Sequence, residues 1–259
     1  MAVLSKDQIE TFHRDGAIVV PDVVTPQTLG QLKATFSNWV EESRGHDAPY
    51  GRICDGRPRF DLDEDHSSTH PSLRRVASPT DVSEVFARVA FDSAMTDIAS
   101  DLLGADLRFH HAKVNSKLPR TKTVVKWHQD FPFDPHSNDD TLTALLFLDE
   151  VTEDNGPLLI APGSHHGPIL SHFQNDVFTG SVSDEDAARF QSNSVSCSGP
   201  AGAVCLMHSR VAHASTANNS ADILSPMLQR MPRLYRQLRC RVPIRARSFV
   251  ARNLAAFAL

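Results

Sequence analysis

The segment Leu142-Thr143-Ala144-Leu145-Leu146-Phe147-Leu148 is an almost unbroken apolar run, which we predict to form a β-strand. It belongs to a series of seven such segments. They cover residues 107–115, 122–128, 141–149, 157–161, 194–197, 202–208 and 210–214. Turn residues such as Asp154-Asn155-Gly156-Pro157 and Gly199-Pro200 separate them. Short apolar strands punctuated in this way are typical of a β-sandwich or barrel.

The first hundred residues are predicted to be mainly helical. Helices are predicted from Ser5 to Gly16, from Pro26 onward, over 81–89 and over 92–103, with one short strand at 17–20. The second helix has Thr25 as its N-cap and a proline at its first position. The polar stretch 44–79 is predicted to be a loop. Helices followed by many short strands favour a mainly β fold with N-terminal helical support.

Composition excludes several classes of function. The chain has 259 residues, a formal net charge of −5 and 41% hydrophobic residues. We therefore expect one globular domain, with no basic surface for nucleic acid and no membrane attachment. The four cysteines are widely spaced and form no CxxC pair, which indicates a reducing compartment. A cytoplasmic protein, monomeric or a weak homo-oligomer, is the expectation.

The residues with the clearest chemistry are His128 and Asp130, in Trp127-His128-Gln129-Asp130 at the end of a predicted strand. Residues two apart on a strand point to the same side, so an imidazole and a carboxylate can meet there. A second histidine from a distant strand would complete a two-histidine, one-carboxylate site of the kind that holds Fe(II) and leaves adjacent positions open. An isolated HxD is more often a polar strand end.

Several further motifs follow in a characteristic order. They are Asn155-Gly156-Pro157-Leu158, Pro162-Gly163-Ser164-His165, Gly202-Ala203-Val204 and His213-Ala214-Ser215. With the HxD, this series resembles the phytanoyl-CoA dioxygenase family of Fe(II)/2-oxoglutarate-dependent oxygenases over residues 8–222. The resemblance implies a double-stranded β-helix, a cupin-like jelly roll. It also implies that His128, Asp130 and His213 are the iron ligands and the catalytic centre.

The resemblance further implies residues for the co-substrate 2-oxoglutarate. They are Lys117, Gln129 and Ser215; the alternatives are a surface lysine, a strand-end amide and a turn serine. The remaining histidines, His208 and the pair His110-His111 among them, are expected to be structural.

The family's arginine for the distal carboxylate of 2-oxoglutarate normally follows the second histidine by about ten residues. Here that place holds Asp222-Ile223-Leu224, and the next arginines are Arg230 and Arg233. Arg230 is the predicted substitute. The chain is thus divided into a helical support (1–105), a jelly-roll core (106–222) and an atypical tail (223–259).

The tail contains eight arginines and neither aspartate nor glutamate. No alternation typical of a strand is visible in it. We expect either a lost reading frame near Asp222 or an alternative terminus.

The predicted activity is the hydroxylation of an unactivated C–H bond of a small molecule, using O₂. Asp130 favours hydroxylation over halogenation, because halogenating relatives replace this carboxylate with a small residue. The alternative is a non-catalytic jelly roll that binds metal but lacks the arginine for 2-oxoglutarate. The substrate is expected to be a small metabolite, which Lys113, Lys126 or Arg210 would meet if it is anionic.

Overall fold

The computed structural model describes residues 3–116, 124–135 and 138–220, together with the backbone of 231–236. The helices are α1 Lys6–Asp15, α2 Pro26–Ser43, α3 Glu84–Phe91, α4 Ala94–Leu103 and α5 Asp184–Ser192. The strands are β1 Ala17–Val20, β2 Phe60–Leu62, β3 Leu73–Ala77, β4 Leu107–Phe109, β5 Lys113–Asn115, β6 Val125–His128, β7 Thr141–Leu146, β8 Leu158–Ile160, β9 Phe173–Gln174, β10 Val177–Phe178, β11 Val195–Cys197, β12 Val204–His208, β13 His213–Ser215 and β14 Met231–Arg236. Short 3₁₀ turns cover Pro79–Asp81, Phe131–Phe133 and Ser164–His166.

Two antiparallel sheets form the body of the fold. The larger has the order β1-β12-β7-β14-β4, and the smaller has the order β11-β8-β13-β6. Neighbouring strands in both sheets come from distant parts of the chain, as expected for a jelly roll. The predicted mainly β fold with N-terminal helices is confirmed. A third sheet, β2-β3-β5, and the hairpin β9-β10 lie outside this pair.

Alternation along β7 separates the two faces of the larger sheet. Leu142, Ala144 and Leu146 pack in one apolar cluster with α1 to α4. Leu145 belongs to a second cluster, which also contains Ile160 of the smaller sheet. Thr143 is buried, and its place between Leu142 and Ala144 puts it on the same side as Leu145. The odd-numbered residues of β7 therefore face the space between the sheets.

A third cluster covers the outside of the smaller sheet. Trp127 of β6 and Ala214 of β13 pack there against Phe190 of α5. Because successive strand residues alternate, burying Trp127 and Ala214 on this outer side turns His128, His213 and the residues two away from them inward. The packing of α5 thus fixes which side chains face the interior of the barrel.

Four predictions of local structure need correction. The stretch 44–79 is not only loop, since it contains β2 and β3. The strand predicted over 107–115 is two strands, and His110-His111 lie between them. Helix α5 and the β9-β10 hairpin were not predicted. Finally, the tail does contain a strand: β14 pairs with β7 and β4, and its register shifts at Pro232, a residue that cannot donate a ladder hydrogen bond.

No helix in the described part of the chain combines the length and the apolar character needed to cross a bilayer.

Candidate metal centre

The strand register brings the two predicted histidines together. Strands β13 and β6 pair antiparallel, with His213 directly opposite His128. Residues opposite each other on neighbouring strands have their Cβ atoms about 4.5–5.5 Å apart and point to the same face. The two imidazole rings accordingly have centroids 4.1 Å apart. Asp130 follows the end of β6 by two residues, on the same side as His128.

The carboxylate completes a compact group. Asp130 Oδ1 lies 3.7 Å from His128 Nε2 and 3.7 Å from His213 Nε2. The three possible ligand atoms all lie within 4.8 Å of one another, and all three residues are buried. Two atoms bound to one ion at about 2.1 Å can be at most about 4.2 Å apart. The two measured spacings fit one first-row divalent ion.

Both imidazoles are held in the tautomer that metal binding requires. His128 Nδ1 lies 2.8 Å from the carbonyl oxygen of Lys126, and His213 Nδ1 lies 3.0 Å from that of Val211. A carbonyl oxygen can only accept, so each Nδ1 carries the proton and donates. With the proton on Nδ1, Nε2 is the nitrogen whose lone pair a neutral ring can offer to a metal ion. Hydrogen bonds of this kind orient the histidine ligands of metal sites.

Thr143 holds the carboxylate. Its hydroxyl donates to Asp130 Oδ2 over 2.9 Å, and both residues are buried. The bond leaves Oδ1 directed at the histidines. Sequence analysis did not identify Thr143, although the signal was present: a hydroxyl residue at an inward position of a strand that is mostly apolar.

Gln129 is used differently from the prediction. Its amide nitrogen donates to the carbonyl oxygens of Arg210 and Pro168, and its amide oxygen accepts from the backbone N–H of Leu170. These bonds hold the Gln129 side chain against residues 168–170 and 210. The placement gives no support to a 2-oxoglutarate contact for Gln129.

The backbone of Gln129 is also fixed, since its N–H donates to His172 Nε2 over 3.0 Å. His172 Nδ1 in turn donates to the carbonyl oxygen of Leu170. This neutral form agrees with burial lowering the pKa of His172. Hydrogen bonds to both the backbone and the side chain of Gln129 thus hold the segment between His128 and Asp130.

The other predicted cofactor residues have different outcomes. Ser215 is buried two residues after His213, on the inward side, and its hydroxyl has no hydrogen-bond partner in the part of the chain that the structure describes. A buried hydroxyl of this kind has capacity left for a ligand. Lys117 and Arg230 lie outside the described residues.

Two further residues are engaged elsewhere. His208 accepts from the backbone N–H of Arg210 and does not join the three ligands, as expected for a structural histidine. Arg210 pairs with Asp139 and donates to the carbonyl oxygen of Gly167. The Nε of Arg210 is buried and has no hydrogen-bond partner within the described residues, so the contact with an anionic substrate group stays a prediction.

Aromatic side chains close one side of the centre. Phe133, in the turn after Asp130, meets the His128 ring edge-on at 5.5 Å. It also contacts Phe178 of β10 at 5.2 Å. Phe178 in turn contacts Phe173 of β9, whose side chain is exposed. A continuous series of ring contacts therefore runs from His128 through the β9-β10 hairpin to the protein surface.

Comparison with known proteins identifies relatives of the same kind. The sequence profile of the phytanoyl-CoA dioxygenase (PhyH) family matches residues 12–224. The chain is 35% identical over 174 residues to a "Probable alpha-ketoglutarate-dependent hypophosphite dioxygenase" of Stutzerimonas stutzeri, a match that covers 65% of this chain and 60% of the relative. It is 28% identical over 231 residues to L-proline trans-4-hydroxylase of Streptomyces griseoviridis, covering 82% and 80%.

Solved structures show the same fold. The apo form of EctD from S. alaskensis superposes with a TM-score of 0.68 at 24% identity, covering 90% of this chain and 76% of that one. The predicted jelly roll agrees with this neighbour.

Proposed function

The chain belongs to the phytanoyl-CoA dioxygenase family, and from that premise we propose that it is an Fe(II)/2-oxoglutarate-dependent hydroxylase of a small polar metabolite. The observation that carries the proposal is the buried His128–Asp130–His213 group, in which both Nε2 atoms lie 3.7 Å from the same carboxylate oxygen. This donor set is the two-histidine, one-carboxylate arrangement of Fe(II) oxygenases, which leaves coordination positions for other ligands.

The chain's own residues supply binding and orientation. His128 and His213 would hold the ion through Nε2, while the carbonyls of Lys126 and Val211 keep their Nδ1 protons in place. Thr143 fixes Asp130. The Ser215 hydroxyl, inward and buried, is available to donate to a carboxylate oxygen of 2-oxoglutarate. When bound, iron and 2-oxoglutarate together supply the O₂-dependent oxidation of a C–H bond.

The substrate class follows from size and polarity. The relatives matched above are named for hypophosphite and L-proline, both small polar molecules. Phe133 narrows the space beside His128, which favours a small substrate. The chain spans only part of the hypophosphite dioxygenase, so the substrate is proposed as a class.

The arginine that binds the distal carboxylate is the part of the site that departs from the family. A buried carboxylate without a charged partner is costly by several kcal/mol. The first arginines of the tail, and so the candidates for this contact, are Arg230 and Arg233. The register of β14 supports position 233, which is paired with Thr143, the residue that donates to Asp130.

The tail itself is proposed to be an altered terminus of the family domain. The profile match stops at residue 224, where the acid-free, arginine-rich composition begins. Translating the encoding DNA in all three frames tests this proposal. A family-like strand with an arginine near position 224 in another frame supports a frame change, and its absence from both other frames refutes one.

The function is tested by anaerobic titration of 2-oxoglutarate into the Fe(II)-loaded protein, followed by the metal-to-ligand charge-transfer band. Binding is expected to require His128, Asp130 and His213, and to weaken at least about tenfold in Arg233→Ala, because this change removes the charged partner proposed for the distal carboxylate. Arg230→Ala is the matched comparison. Succinate formed on admitting O₂ separates an oxygenase from a metal-binding jelly roll without activity, since only the oxygenase predicts it.

A further inference from the structure

A second group of metal-ligating side chains lies outside the His128–Asp130–His213 centre. His110, His111 and Asp134 each offer one possible ligand atom, and these atoms lie within 4.8 Å of one another. All three residues are at least partly exposed, so an ion in solution can reach them. We propose that they form a second divalent metal site, separate from the iron centre.

The backbone explains why two adjacent histidines can face the same point. Neighbouring residues within a strand point to opposite faces. His110 and His111, however, follow the last residue of β4, Phe109, and precede β5, which begins at Lys113. Freed from strand alternation, their Nδ1 atoms lie 2.6 Å apart. The two rings meet at 69°, with centroids 4.9 Å apart.

The third donor comes from the turn that follows the iron ligands. Asp134 comes directly after the 3₁₀ turn Phe131–Phe133, and its Oδ2 lies 3.2 Å from His110 Nδ1. A 3₁₀ turn rises about 2 Å per residue. Asp134 therefore lies about 8 Å along the chain from Asp130, close to the iron centre but with no ligand in common.

The proton arrangement favours an ion at this point. Two Nδ1 atoms 2.6 Å apart cannot both carry a proton, so at least one imidazole directs a lone pair into the group. The ionised carboxylate of Asp134 has no proton to donate and can only accept. Two imidazole nitrogens and one carboxylate oxygen form a donor set suited to Zn²⁺, Ni²⁺ or Cu²⁺, since imidazole is a good ligand for each of these ions.

Zinc binding tests the site independently of hydroxylase activity. Equilibrium dialysis against Zn²⁺, with metal and protein quantified, should give two ions per chain in a Cys54→Ser background, which removes an exposed thiol able to bind zinc. The stoichiometry should fall to one in His110→Ala, and one ion should remain when Asp130 and His213 are both replaced by Ala. Combining the three changes should leave none.

The matched control is His70→Ala, which removes an exposed histidine that belongs to neither group and should keep two ions. In the Asp130→Ala/His213→Ala background, Asp134→Asn should weaken zinc binding at least about tenfold. Even replacing a hydrogen-bond partner of a metal ligand lowers metal affinity by about that factor. One ion per wild-type chain, lost in Asp130→Ala/His213→Ala, would overturn the proposal, as would two ions persisting in His110→Ala. If the iron proposal fails and this one holds, the chain with both groups intact should bind one zinc ion, and His110→Ala should remove it.

Discussion

Replacing Thr143 with valine is the sharpest test of how the centre is held. Valine keeps the branched shape of threonine and removes only the hydroxyl that donates to Asp130 Oδ2 over 2.9 Å. Without that bond, the buried carboxylate is free to rotate, and Oδ1 is no longer directed at the two histidines. We expect weaker metal binding with little change in the fold.

The size of the effect follows from the kind of bond lost. A hydrogen bond to a charged group contributes about 1.5–3 kcal/mol. About 1.4 kcal/mol corresponds to a factor of ten in affinity. The metal dissociation constant of Thr143→Val should therefore rise about tenfold to hundredfold, the range found for the partners of metal ligands. Anaerobic competition with a chelator of known affinity measures this constant for Fe(II).

The same strand provides a matched control. Thr141 is also buried, two residues away on the same side of β7, but its hydroxyl donates to Ser209 and not to a metal ligand. Thr141→Val should lower the free energy of unfolding and leave the metal dissociation constant within about twofold. Unchanged iron affinity in Thr143→Val, or an equal loss in Thr141→Val, would refute the argument that Thr143 orients Asp130.

Three further outcomes are expected. Alanine at His128, Asp130 or His213 should abolish stoichiometric Fe(II) binding in dialysis while far-ultraviolet circular dichroism stays unchanged, and unchanged iron affinity in Asp130→Ala would remove the proposed centre. Asp130→Ala should lose hydroxylation without gaining halogenation, and a chlorinated product detected by mass spectrometry in the presence of chloride would contradict this. Burial lowers the pKa of His208 to about 4, so the unfolded chain binds a proton there that the folded chain does not, and stability falls as pH drops from about 6.5 toward 4. Urea unfolding at pH 7 and pH 5 should show a loss of stability that His208→Gln reduces by about 2 kcal/mol, while His165 and His172, whose pKa values burial also lowers, account for a remaining loss.

The metal ligands were predictable from one local pattern and one family resemblance. The HxD spacing puts two ligands on one side of a strand, and the family resemblance indicates His213 as the third. The direction of Gln129 was not predictable in the same way. Its three partners come from residues 168–170 and 210, which only the folded chain brings beside β6.

The His110-His111 pair shows a second limit. Treating 107–115 as one strand assigned the two rings to opposite faces, where each would be a packing residue. The structure ends β4 at Phe109 and begins β5 at Lys113. A break of three residues changes the relation between adjacent side chains, and neither glycine nor proline marks it in the sequence.

Strand β14 was not predicted, because one irregularity interrupts its alternation. Its register pairs Met231 with Ala144 and Leu234 with Leu142, positions of β7 on the side of the helices. Residues 231 and 234 are three apart, so strict alternation would put them on opposite faces. The register shift at Pro232 places one extra residue of β14 opposite β7, a β-bulge that interrupts the two-residue repeat of the strand. The same shift pairs Arg233 with Thr143, on the side of β7 that faces the metal ligands. Arg233→Ala is therefore the replacement that tests the proposed contact of this strand with 2-oxoglutarate.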